Sequence, residues 1–103
     1  MLYHEFKEWL EENAIGYKVF MEKAAEYQSM KNKDRSGKKK WNNRKVEKAT
    51  QRMWDDVVKA AYEQIRAHEG VPKYNGKQIW LDFMEKYNFL EGFNEGASET
   101  EFE

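Results

Sequence analysis

The stretch from Asn43 to Glu69, NRKVEKATQRMWDDVVKAAYEQIRAHE, decides the fold. Val46, Ala49, Met53, Val57, Ala60, Ala61, Gln64 and Ile65 recur at helical spacing, and Trp54, Val58 and Tyr62 widen the stripe. A helix apolar on more than one side is either central to a bundle or partly an interface. The run has a firm stop in Gly70-Val71-Pro72. Glycine can take the left-handed position past a helix end, Val71 can fold back on the last turn, and Pro72 cannot extend the helix.

Shorter helical stripes flank this one. Leu2, Phe6, Trp9 and Leu10 predict a first helix, and Tyr17, Phe20, Met21, Ala24, Ala25 and Gln28 a second that ends near Met30. Asn13 to Gly16 is read as the break between them, because glycine inside a helix costs about 1 kcal/mol relative to alanine. Downstream, Asn75 with Gln78 three residues on has the form of a capping box, and Tyr74 with Ile79 that of a hydrophobic staple. Ile79, Trp80, Phe83, Met84 and Tyr87 then give a buried face, with Asn88 as the helix end. No window alternates apolar and polar residues as a half-buried strand does. The expectation is an all-α fold, a small bundle of three to four helices. It places a single domain at residues 1–90, with a basic loop at 31–42 between helices 2 and 3, and a disordered acidic tail at 91–103.

The composition narrows the classes further. Of 103 residues 36% are charged, and Leu, Ile, Val and Phe together number 18. That thin aliphatic supply is offset by 16% aromatics, including four Trp, which disordered chains seldom carry. The absence of Cys excludes a disulfide framework, a thiolate metal site and a cysteine nucleophile. No apolar run reaches the roughly 18 residues of a membrane span. The opening Met1-Leu2-Tyr3-His4-Glu5-Phe6-Lys7-Glu8 is acidic and amphipathic, unlike a secretory or transit signal. A cytoplasmic location is therefore expected.

Catalytic chemistry finds little to work with. His4 and His68 are far apart, and His68 reads as a structural residue in a last helical turn, where positive charge suits the helix dipole. The neighbouring carboxylates Glu11-Glu12 and Asp55-Asp56 diverge by about 100° on a helix and cannot share a proton or a metal. No metalloprotease, phosphate-loop, nucleophile-elbow or calcium-loop motif occurs. The expectation is a non-enzyme with no catalytic, cofactor or metal residues and no evident small-molecule substrate.

A net charge of -1 conceals a strong segregation. Residues 31–48 hold 9 basic and 2 acidic side chains, a net of +7. Residues 1–30 carry 3 basic and 6 acidic side chains, residues 49–84 carry 5 of each, and residues 85–103 carry 1 and 6. The basic set is Lys31, Lys33, Arg35, Lys38, Lys39, Lys40, Arg44, Lys45 and Lys48, with Trp41 among them. Such side chains neutralise phosphates and release counterions, and a Trp beside them can stack on an unpaired base. Several of them crowd the start of the third helix, where positive charge opposes the dipole. Alternatively the segment is a solvated loop that meets the protein's own acidic ends.

Two readings of function follow. The first is an interaction protein that grips a partner protein, or a second copy of itself, through aromatic helix faces at Trp54, Val58, Tyr62 and Trp80. Size and composition associate it with small accessory or inhibitor proteins of microbes or phages. The second is a nucleic-acid binder that uses residues 31–48 with Trp41 on RNA or single-stranded DNA. Glu91, Glu95, Glu99, Glu101 and Glu103 with Phe89, Phe93 and Phe102 are read as a solubilising acidic-aromatic terminus. Gln78-Ile79-Trp80-Leu81-Asp82-Phe83 has the form Q-x-x-L-x-F, which resembles the hexapeptide by which many bacterial proteins dock on the replicative sliding clamp. Such peptides bind in extended form, whereas the capping pattern places these six residues inside a helix.

Overall fold

The computed structural model describes residues 1–102, and within them five α-helices follow one another. They are α1 (Tyr3–Asn13), α2 (Ile15–Lys33), α3 (Asn43–Glu69), α4 (Gly76–Lys86) and α5 (Phe89–Glu99), with one 3-10 turn at Gly37–Lys39. No strand occurs among the described residues. The all-helical expectation holds, with five helices where three to four were expected.

The fifth helix lies where the sequence suggested an unstructured tail, so a boundary at residue 91 falls inside α5. Composition misleads here because only one side of α5 faces solvent. Phe89, Leu90 and Phe93 are half-buried and Ala97 is buried, while Glu91, Glu95 and Glu99 point outward. That is an ordinary amphipathic helix whose apolar side is aromatic and short. Asn88, at φ 52° and ψ 45°, turns the chain between α4 and α5 in the left-handed region that Asn tolerates better than most residues.

Gly16 does not break the helix either. The interruption is confined to Ala14, and Gly16 lies in the first turn of α2, buried against α5. A Cβ at position 16 would stand 2.9 Å from Asn94 Oδ1 and 3.1 Å from Ala97 Cβ. The missing side chain admits the neighbouring helix. In return Asn94 Oδ1 accepts the Gly16 backbone N–H at 2.7 Å, so α5 caps the start of α2 from 78 residues away. Without it that N–H would be among the orphan donors of a helix start. Further along, Lys23 donates to the backbone carbonyls of Ser98 and Thr100, and Phe102 packs its ring against Phe20 and Tyr27. Helix α5 therefore runs alongside α2 in the same direction.

Helix α3 is the axis of the molecule. At 27 residues it is about 40 Å long, most of the 54 Å long dimension of a body only 25 by 21 Å across. The radius of gyration, 16.1 Å, exceeds the roughly 13 Å of a compact chain this size. Asn42 caps α3 by accepting the Lys45 N–H at 2.9 Å. At its far end Gly70 adopts φ 64° and ψ -157°, a conformation essentially reserved for glycine, and its N–H bonds to the Arg66 carbonyl. The stop is where the sequence placed it, although Val71 remains exposed rather than folded back.

The core is an aromatic network along α3. Trp54 meets Tyr17, Phe20 and Phe93, and Tyr62 meets Tyr3, Phe6 and Trp80, with ring centroids 4.7 to 5.8 Å apart. Leu10, Val58, Ile65 and Met84 fill the remaining space. The centre of the α3 stripe is thus Thr50, Trp54, Val58, Tyr62 and Ile65, while Ala60 and Gln64 face solvent. The polar atoms of the three buried Trp and Tyr rings have partners. Trp54 Nε1 donates to Glu11, Tyr62 Oη to the Met1 carbonyl, and Trp80 Nε1 to the Gly70 carbonyl, at 2.8 to 2.9 Å. Among the described residues no buried side-chain N or O lacks a partner.

The capping box at the start of α4 is not formed. Asn75 stands at the N-cap in the left-handed region and makes no side-chain cap bond. Gln78 instead donates to Asp82 within the helix, and Tyr74 is 84% exposed, so the staple with Ile79 is also absent. The Asn serves the turn through its backbone rather than the helix through its side chain.

Candidate functional site

The four residues expected at a protein interface lie in the interior. Trp54, Val58 and Trp80 are 0% exposed and Tyr62 is 6% exposed. Trp54 is covered by α2 and α5, and Tyr62 by α1 and α4, so none can touch a partner without opening the bundle. The second apolar side of α3 reflects a helix flanked by neighbours on several sides, the central alternative of the two that its pattern allowed.

The basic residues have the opposite fate. Lys31 and Lys33 occupy the last turn of α2, Lys38 and Lys39 the 3-10 turn, Lys40 its end, and Arg44, Lys45 and Lys48 the first two turns of α3. All eight are exposed, and only Arg35 is half-buried. Helices α2 and α3 are antiparallel here, and the loop joining them closes one end of the long axis. The +7 segment is therefore the tip of a two-helix arm. Ion pairs among the described residues are Lys7–Asp55 at 2.9 Å and Glu63–Arg66 at 3.5 Å, neither of which involves residues 31–48. Among the described residues the tip makes no direct ion pair with the acidic ends of the chain, although Thr100, Glu101 and Phe102 line one groove with Lys31 and Asp34.

Within the tip one residue is held firmly. Trp41 donates its backbone N–H to Asn32 Oδ1 at 2.8 Å, and its carbonyl accepts from Asn32 Nδ2 at 2.9 Å. The Arg35 guanidinium lies 3.7 Å from the centroid of the indole and donates to the same Asn32 Oδ1 at 3.4 Å. Lys45 Nζ stands 5.9 Å from the ring centroid. Asn32 was missed in the sequence, where it reads as one more polar residue in a run without hydrophobes. Its role is set by what lies nine residues further on, and a polar residue in a charged run gives no sign of that.

Elsewhere the surface offers less chemistry. His68 stacks on Phe83 with centroids 5.8 Å apart, a packing contact consistent with a structural reading. Gln78 to Phe83 are helical, with Trp80 buried and Phe83 half-buried, so the clamp-like hexapeptide is not presented in extended form. Asp55 is held by Lys7 and by Gln51 at 3.1 Å. Burial works against its charged form, but these two hydrogen bonds outweigh it and hold its carboxyl below the usual range. Lys7 is pushed up by the same contact. No group of three or more His, Cys, Asp or Glu suited to a metal ion occurs among the described residues. No helix among them is long and apolar enough to cross a membrane.

The class that this geometry defines is an all-helical protein with a projecting, positively charged helical hairpin. No protein-family model matches the chain, and no curated protein or solved structure is significantly similar to it.

Proposed function

We propose that this protein binds nucleic acid, RNA or single-stranded DNA, with the basic tip of the α2–α3 arm. The observation that carries the reading is the exposure of eight Lys and Arg side chains around Trp41 at one end of a 54 Å rod, without ion-pair partners among the described residues. Clustering like charges there costs stability through mutual repulsion and through opposition to the α3 dipole. A polyanion offsets both, because each phosphate contact releases condensed counterions.

Anisotropy of a labelled single strand, titrated at several salt concentrations, tests this. Four to six phosphate contacts predict a slope of log K against log salt of about -3 to -4, so affinity falls on the order of a hundredfold between about 50 and 200 mM salt. Replacing Lys38, Lys39 and Lys40 together with Ala reduces the slope by about 2. Absence of binding at about 50 mM salt, or an unchanged slope in the triple variant, refutes the reading. An interaction with a partner protein through Trp54, Val58, Tyr62 and Trp80 is not carried forward, since those side chains form the core.

A further inference from the structure

We infer that the tip carries a preformed platform for one unpaired nucleobase, built from Trp41 and Arg35 and positioned by Asn32. The inference rests on the nucleic-acid reading and names what that site recognises besides charge. A single amide anchors both layers of the stack: Asn32 Oδ1 accepts from the Trp41 backbone N–H and from the Arg35 guanidinium, and Asn32 Nδ2 grips the Trp41 carbonyl.

Loop closure alone does not require this arrangement. The bonds from Asn32 reach the backbone of residue 41 and are indifferent to the side chain there. The indole adds nothing to the core network, since the rings around Trp54 and Tyr62 do not include it. A large ring left half-exposed among cations has a use when another flat group can be added to the stack. Arg guanidinium planes and aromatic rings are the two surfaces on which proteins stack splayed-out bases. Here the guanidinium carbon of Arg35 already lies over the indole of Trp41, 3.7 Å from its centroid. Cations for the neighbouring phosphates are close at hand, with Lys45 Nζ 5.9 Å from the ring centroid and the exposed Lys40 next to Trp41 in the chain. A paired base inside a duplex cannot reach the platform, so the site separates unpaired from paired ligand.

The test compares a short oligothymidylate with an abasic strand of the same length, which has the phosphates without the bases. The native protein binds the oligothymidylate about tenfold more tightly, within the range of one base–aromatic stack. In W41A the preference for the oligothymidylate is lost and the two strands bind equally. N32A, in which Trp41 is present but unanchored, loses most of the same tenfold preference, and W41F recovers part of it. Circular dichroism shows whether N32A keeps its helix content, and W41A decides the matter if it does not. A native preference near one, or an unchanged preference in W41A, overturns the platform and leaves phosphate binding standing. Failure of both strands to bind at about 50 mM salt removes the nucleic-acid reading itself.

Discussion

Replacing Gly16 with Ala sets two effects of known sign against each other. In an exposed helix the change stabilises by about 1 kcal/mol, because glycine pays the larger backbone entropy. At position 16 the added Cβ would sit 2.9 Å from Asn94 Oδ1, and 3.1 Å from both Ala97 Cβ and Asn94 Cα. Two of these neighbours belong to the α5 backbone or its first side-chain atom, so α5 itself must move. Overpacking of this kind costs about 1–3 kcal/mol, and displacing Asn94 also weakens the cap it provides to the Gly16 N–H, worth about 1 kcal/mol. The net expectation is destabilisation by about 1–2 kcal/mol, a fall in melting temperature of roughly 5–15 °C for a domain of this length. Gly92 and Gly96 are the internal controls, since both lie in α5 and a Cβ at either meets nothing within 4 Å. Each changed to Ala should raise stability by about 0.5–1 kcal/mol. Urea or thermal unfolding followed by circular dichroism reads all three. A G16A variant as stable as the native chain would refute the close docking of α5 on α2, as would equal destabilisation by G92A.

Two further outcomes are expected. At Gly70 there is room for a side chain but the backbone stands at φ 64° and ψ -157°, so G70A is destabilised by strain alone, by about 1–3 kcal/mol in urea unfolding. The Asp55 carboxyl titrates below its unfolded value, so its contribution to stability is present above about pH 4 and is lost as pH falls through the lower folded value. Both partners of the Lys7–Asp55 pair are substantially solvated, with side chains 29% and 42% exposed, so the contribution is about 0.5 kcal/mol. D55N should remove that acid-side decline, and a decline of equal size in D55N would disprove the assignment.

Helix existence was legible wherever the apolar stripe was long. Helix α3, with its start near Asn43 and its Gly70 stop, follows from local chemistry that acts within a few residues. What the sequence misplaced depended on distant partners. Gly16 reads as a breaker until Asn94 and Ala97 are seen beside it, and the acidic segment reads as disordered until its aromatic side is seen against α1 and α2. The interior position of Trp54, Tyr62 and Trp80 was one of two alternatives that periodicity alone could not separate. At the tip the cations and Trp41 were evident from residue type. Asn32 was not, because its two hydrogen bonds to Trp41 depend on how the chain returns after the 3-10 turn.

The cap that Asn94 supplies to α2 also bears on the order of events as the chain is made. A ribosome releases α2 long before residue 94 exists, so the first turn of that helix waits with its N–H groups facing water. The α2–α3 arm closes through contacts between Asn32 and Trp41 and between Phe20 and Trp54, all available once α3 has emerged. The contacts of the tip thus need nothing beyond α3, whereas the start of α2 gains its cap only when α5 docks. Pulse-labelling hydrogen exchange should find the Gly16 amide protected later than the Trp41 amide.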